Sequence, residues 1–164
     1  MKGLRDFANS EEYPAKSFCG LQSNLMVDCG RNGKSLIELR NDHDVMRRKM
    51  GLLEEASRHV GVRGNPRLLG HLNRLEELFI QHRTKEERVL FPLLQRYLGA
   101  CVCEGIGLEH DRISDLIRKV STQVSHGDKS SIPQLNLLLR GHFSREENVL
   151  FWYLNLHLSN KRHG

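Results

Sequence analysis

Residues 82–94 read HRTKEERVLFPLL and residues 142–154 read HFSREENVLFWYL, the same word twice, with seven of thirteen positions identical. Packing alone accounts for the shared Val, Leu and Phe. A polar His and Glu recurring at matching points of two apolar stripes needs a further reason. At about 100° per residue, His82 and Glu86 lie about 40° apart and one turn along a helix, so both project to one side. His142 and Glu146 do likewise. Glu87 and Glu147, one step further on, turn about 140° from their histidines, towards a helix flank or solvent.

Working outward, the same three- and four-residue step predicts four helices. The first starts at Ser35 with a face of Leu36, Leu39, His43, Met46, Met50, Leu53 and Ser57, and ends near Gly61 and Gly64. Pro66 opens the second, whose stripe is Leu68, Leu72, Leu75, Phe79, His82, Glu86, Val89, Leu90 and Leu93. Pro92 is interior to it and should kink it, and Gly99 ends it. The stretch to Gly107 reads as a loop or frayed helix start. The third helix carries His110, Ile113, Ile117, Val120 and Val124 and stops near Gly127. Ser131 is placed to cap the fourth, with Pro133 in its first turn, and its stripe is Leu135, Leu138, Leu139, His142, Glu146, Val149, Leu150 and Tyr153, fraying after His157. Short connections imply antiparallel neighbours. The expected fold is therefore all-α, an up-down-up-down antiparallel four-helix bundle over residues 34–160. Residues 1–33, with scattered glycines and no sustained period, read as an irregular N-terminal arm.

The first and third helices carry a second, weaker repeat, His43-Asp44 and His110-Asp111, with each histidine in the middle of an apolar face. The two aspartates sit about 100° off that face. Four inward imidazoles and two inward carboxylates would meet near the bundle centre. Six such groups cannot be buried without partners, because each desolvated carboxylate costs several kcal/mol. A pair of divalent ions resolves the problem: two nitrogens per ion, with both carboxylates able to bridge. A set of this hardness and coordination number suits iron or manganese better than zinc. The candidate metal ligands are His43, His82, Glu86, His110, His142 and Glu146. His71 lies on the face of His82 but about three turns away, which suits a structural role. His59, His126, His157 and His163 fall near helix ends or in the tail and are expected in solvent. Tyr153 reads as core and Cys103 as a plain buried thiol.

Composition narrows the rest. A chain of 164 residues with 38% hydrophobic and 27% charged residues is a single globular domain by size and balance. The net charge of +5 concentrates between Lys34 and Arg74, where nine basic residues face five acidic ones, and with no nucleic-acid motif present this reads as a solvated face. Nucleic acid is not an expected partner. The apolar runs fall far short of the roughly 20 residues a membrane span requires. Met1 to Asn9 lacks the apolar core of a secretory signal, and four irregularly spaced cysteines form neither a disulfide framework nor a CxxC pair. A reduced, cytoplasmic location is expected.

The order His43, His82-x-x-x-Glu86, His110, His142-x-x-x-Glu146 resembles the hemerythrin-like, HHE cation-binding family over roughly residues 35–158. The resemblance implies a non-haem di-iron centre of two Fe ions, oxo- or hydroxo-bridged, that binds or reacts with a small oxidant such as O2, NO or peroxide. Manganese is the less favoured metal. Oxygen carriers of the family add a histidine one turn after the third-helix ligand, where this chain has Ser114. They also use an aspartate five residues after the fourth-helix histidine, where this chain has Glu147. These departures point away from reversible oxygen carriage. The symmetric four-His, two-Glu set is more similar to the bacterial di-iron proteins linked to repair of damaged iron centres and to nitric oxide stress, although those carry a longer, cysteine-bearing N-terminal region. The resemblance thus leaves three functions open: reaction with a small oxidant, iron handling or iron-sulfur repair with a redox or iron-acceptor protein as partner, and redox or gas sensing. Ferritin-like di-iron bundles are disfavoured, since they use Glu-x-x-His pairs and no Glu here has a His three residues later.

Overall fold

The computed structural model describes residues 29–58 and 66–160. Those residues form helices α1 (Cys29–Arg58), α2 (Pro66–Lys85), α3 (Phe91–Leu98), α4 (Ala100–Ser125), α5 (Ile132–Arg145) and α6 (Phe151–Asn160). Two five-residue π-helical turns, Glu86–Leu90 and Glu146–Leu150, join α2 to α3 and α5 to α6 into continuous rods. Four rods result, and they make an all-α helical bundle. The α2 rod packs on α1 and α4, and α5 packs on α1 and α4. Residues 1–28, together with Gly61, Gly64, His59 and His163, lie outside the described residues.

The termini follow local chemistry. Pro66 opens α2 and Pro133 lies in the first turn of α5, where a missing N–H costs nothing. Gly99 and Gly127 adopt φ of 89° and 87°, a backbone that glycine enters without a Cβ penalty, and each follows the end of a rod. Ser131 is the residue before α5, but its side chain makes no capping hydrogen bond.

Several expectations need correction. The first helix begins at Cys29, ahead of Ser35 and inside the stretch read as arm. Of the two readings of the stretch from Ala100 to Gly107, a loop or a frayed helix start, the structure has a helix start, the first two turns of α4, in which Ile106 is buried in one cluster with Leu90, Leu93, Leu94 and Phe151, with Val102 and Cys103 partly buried beside it. The last rod runs to Asn160 rather than fraying after His157.

The π turns correct the helix phase. In each of them the N–H of the following phenylalanine, Phe91 or Phe151, donates to the carbonyl of the glutamate five residues back, Glu86 or Glu146. One extra residue is thereby absorbed, and every position downstream rotates by one step. The buried residues after Glu146 are accordingly Leu150, Phe151 and Leu154, whereas Val149 is 56% exposed and Tyr153 only half-buried. After Glu86 they are Leu90, Leu93 and Leu94, and Val89 is half-buried. Pro92 sits in the first turn of α3, just past the π turn, so the altered path is set by the wide turn rather than by an interior proline.

The core divides around the middle of the bundle. On one side Met46, Met50, Leu53, Leu72, Leu75, Phe79, Ile113, Ile117, Leu135, Leu139 and Phe143 form one cluster. On the other, Leu36, Leu39, Leu90, Leu93, Leu94, Ile106, Phe151 and Leu154 form a second. Between the two lies a polar layer.

Candidate metal centre

That layer consists of His43, His82, Glu86, His110, His142 and Glu146, all buried. The structure brings together the six residues singled out from the sequence. They come from all four rods: α1 gives one histidine, α4 one, and each π-turn rod a histidine at its last α turn and a glutamate at the first π residue.

Two groups of four donors can each hold an ion, His43, His82, Glu86 and Glu146 on one side and Glu86, His110, His142 and Glu146 on the other, with the donor atoms of each group within 4.8 Å of one another. Both glutamates belong to both groups. Their two oxygens divide between them: Glu146 Oε2 lies 3.1 Å from His43 Nε2, and Glu146 Oε1 lies 3.1 Å from His142 Nε2. Glu86 Oε1 lies 3.5 Å from His82 Nε2, and Oε2 lies 3.0 Å from His110 Nε2. His43 and His82 present their Nε2 atoms to each other at 3.0 Å.

These separations have a simple meaning. Donors at about 2.1 Å from a common ion and at a right angle stand about 3 Å apart. Among the described residues, neither oxygen of Glu86 or Glu146 accepts a hydrogen bond, and Nε2 of His110 and of His142 makes none, although all are buried. Buried groups of this kind carry a heavy desolvation cost unless something else satisfies them. A pair of divalent cations, each taking two imidazole nitrogens and one oxygen from each carboxylate, fits the donor set. No helix among the described residues is long and apolar enough to cross a membrane.

The ion-free titration is what six crowded groups impose. Burial pushes the Glu86 carboxyl up to about 8, and the neighbouring charge of Glu146 adds to the rise. Burial opposes the charge on Glu146 too, but the imidazoles of His43 and His82 beside it outweigh that and hold the carboxyl far below its usual range. His82 is pushed up to about 10, because Glu86, then Asp42 and Glu146, override the burial that would lower it. Burial pulls His110 down to about 4 and lowers His142 as well.

Phenylalanines wall the layer. Phe143 stacks on His43 with centroids 4.3 Å apart, and Phe151 lies parallel to the same ring at 5.7 Å. Phe91 lies parallel to His110 at 6.1 Å, and Phe79 meets the rings of His110 and His142 edge-on. Packed against these rings, they leave all four imidazoles buried.

Outside the six, carboxylates stand beside the far nitrogens of three of the four histidines, two of them within hydrogen-bond distance. Glu147 Oε1 lies 2.7 Å from His43 Nδ1, Glu109 Oε2 lies 3.2 Å from His142 Nδ1, and Asp42 Oδ2 lies 3.7 Å from His82 Nδ1. Arg47 fastens Glu147, Arg145 fastens Glu109, and Lys85 fastens Asp42, with N···O distances of 2.8, 2.6 and 2.6 Å. Burial opposes the charge on each of these carboxylates, yet the paired cations and histidines hold all three below their ordinary values.

Of the two places the spacing left for Glu147, a helix flank or solvent, it takes the flank, from which its carboxylate reaches Nδ1 of His43. Sequence reasoning also passed over Asp42, Glu109, Arg47 and Phe143. A signal was present, since an acid precedes the histidine in both Asp42-His43 and Glu109-His110, one residue before the aspartates that drew attention. Asp44 and Asp111 are themselves exposed and pair with Arg47 and Arg83. His157 is half-buried rather than free in solvent, its ring 4.1 Å from that of Tyr153 and 5.4 Å from that of Tyr97. Cys103 is half-buried, its Sγ donating to the carbonyl of Phe91, and His126 is exposed. His71 is half-buried on α2, away from the donor layer.

No curated protein and no solved structure matches the chain. The family model for the hemerythrin HHE cation-binding domain matches residues 36–154, a span that contains all six buried donors and the carboxylates that back them. The chain belongs to the hemerythrin HHE cation-binding domain family.

Proposed function

We propose that the protein holds two iron ions through His43, His82, Glu86, His110, His142 and Glu146, and that this centre binds or reacts with a small oxidant, O2, NO or peroxide. One observation carries the reading: two four-donor groups share both carboxylates, with one oxygen of each turned to either side. Two adjacent irons, when bound, supply two electrons and open positions for a small ligand.

The chain's own residues do the rest. Glu86 and Glu146 fix the spacing between the two positions. His82 and Glu86 give up protons on loading, since both hold them in the ion-free protein near neutral pH. Phe79, Phe91, Phe143 and Phe151 exclude water, which favours reaction with a small uncharged molecule over hydrolysis or leakage of ions. Manganese in the same donors is the less favoured alternative. The physiological ligand is a diatomic or peroxide molecule, and the location is the cytoplasm.

Anaerobic loading with two equivalents of ferrous iron, then exposure to air, NO or peroxide, should develop a charge-transfer band, and Mössbauer spectra should report two coupled irons. A spectrum unchanged by all three oxidants overturns the reactive reading, and a mononuclear signal overturns the dinuclear one. The carboxylate-bridged pair also suits a protein that passes iron to an acceptor such as an apo iron-sulfur protein, and iron transfer under reducing conditions would separate that role from the first. A sensing role, motivated by the arm of residues 1–33 and the basic cluster between Lys34 and Arg74, would lose its main support if proteolysis of residues 1–33 were identical in the reduced and oxidised protein.

A further inference from the structure

The two metal positions are built alike and supported unequally. Residues correspond in pairs across the halves of the bundle: His43 with His110, His82 with His142, Glu86 with Glu146, Glu87 with Glu147. The supporting acids correspond as well. Asp42 and Glu109 each precede the first histidine of their half and approach Nδ1 of its second histidine. Glu147, which follows the glutamate of the second half, holds Nδ1 of His43 in the first. The counterpart of that last contact would be Glu87 on Nδ1 of His110.

It is not made. Glu87 Oε1 takes Nε of Arg83 at 2.6 Å, and Arg83 Nη1 goes on to Asp111 at 2.7 Å. Nδ1 of His82 and Nδ1 of His110 are both buried without a hydrogen-bond partner among the described residues, but His82 has the Asp42 carboxylate at 3.7 Å, whereas no carboxylate lies within 4.0 Å of Nδ1 of His110. Two differences between the halves produce this. Arg83 stands where the second half has Phe143, so a cation is available beside Glu87 to draw it outward. Ser114 stands where the first half has Arg47, so nothing on α4 presses Glu87 towards the histidine as Arg47 presses Glu147 at 2.8 Å.

We propose that the ion held by His110 and His142 is the exchangeable one of the pair, and that Arg83 makes it so by withholding Glu87 from His110. The inference rests on the dinuclear reading above. An acceptor on the outer nitrogen fixes the ring's orientation and strengthens the inner nitrogen as a donor, and losing such a partner typically costs 10–100-fold in metal affinity. His43 has the shortest such contact at 2.7 Å and His142 one at 3.2 Å, while His82 has a carboxylate only at 3.7 Å and His110 has none within 4.0 Å. The ion between His43 and His82 therefore stays, while its neighbour is released or replaced first. Arg83, Glu87 and Glu147 are positioning residues in this scheme, acting through the rings of His110 and His43.

The test uses the full chain loaded anaerobically with two equivalents of ferrous iron and challenged with excess coloured ferrous chelator. Release should occur in two phases of equal amplitude, with rates about tenfold or more apart. Glu109→Gln, which weakens the support of His142, should hasten the fast phase, and Glu147→Gln should hasten the slow one. Arg83→Met keeps the apolar stem and frees Glu87, and it should slow the fast phase about tenfold. Circular dichroism checks that each variant is folded. Two ions leaving in a single phase, or Arg83→Met leaving both rates as they were, overturns this inference alone. Fewer than two ions bound to the unaltered protein overturns the dinuclear reading and this inference together.

Discussion

Glu147 Oε1 lies 2.7 Å from His43 Nδ1, on the side of the ring that faces away from the donor layer, while the adjacent Glu146 reaches the inner nitrogen of the same ring at 3.1 Å. Two consecutive glutamates thus grip one imidazole from both ends. The π turn that begins at Glu146 makes this possible, because its wider winding leaves both side chains near the inward face. Metal sites commonly need this second contact, which sets the tautomer and the ring plane.

The four glutamates should therefore differ in a graded way. Glu86→Ala and Glu146→Ala each remove a donor from both positions and are expected to lower bound iron below one ion per chain. Glu147→Ala, which removes only the outer grip on His43, should weaken affinity about 10–100-fold. Glu87→Ala, whose carboxylate is taken by Arg83, should do least. Elemental analysis after dialysis against a weak chelator ranks them, and equal losses from all four would contradict the assigned roles.

Loading should release protons, with a definite sign. In the ion-free protein His82 is pushed up to about 10 and Glu86 up to about 8, so both are protonated at pH 7. His110, pulled down to about 4, is already neutral and gives none. Coordination requires the deprotonated forms, so affinity falls as pH drops below about 8 and rises towards 10. Titrating ferrous iron anaerobically into weakly buffered protein at pH 7 should release about two protons per chain. Uptake of protons, or none released, would contradict the scheme.

Phe79 is fully buried and meets the rings of both His110 and His142. Phe79→Ala should cost about 3–5 kcal/mol in urea denaturation of the ion-free protein, through lost burial and the cavity left behind. Phe79→Leu should cost clearly less. A loss under 1 kcal/mol for the alanine variant would show the wall to be loosely packed.

The π turns make an insertion and a deletion unequal. Removing exposed Asn148 lets an ordinary α-helix continue from Glu146 with Leu150, Phe151 and Leu154 still inward, since the wide turn holds one residue more than an α path needs. Adding one alanine after Asn148 rotates that stripe by about 100° and exposes it. Urea midpoints should fall much further for the insertion than for the deletion, and the reverse order would show that the π turn does not set the phase.

The resemblance to hemerythrin-like domains and the six inward donors were legible because a helix maps spacing onto direction. His82 with Glu86, and His142 with Glu146, share a face whatever the bundle around them does. Polar residues repeated inside apolar stripes are also rare enough to stand out. The same rule failed after each glutamate, where it placed Val149 and Tyr153 inward. A π turn differs from an α turn by one backbone hydrogen bond and leaves no mark in residue type.

The sequence by itself determined that four helices would carry two copies of one ligand word, since local periodicity and burial cost are properties of each segment alone. Only the tertiary structure decided that each carboxylate turns one oxygen to either side, that Glu147 and Glu109 hydrogen-bond the outer nitrogens of His43 and His142, and that Asp42 stands near that of His82 while His110 has no carboxylate there. Those contacts join residues from different helices, as Glu147 on His43 does. They depend on how the rods are turned against one another and on which cation reaches a given acid first, and no spacing along a single helix encodes either.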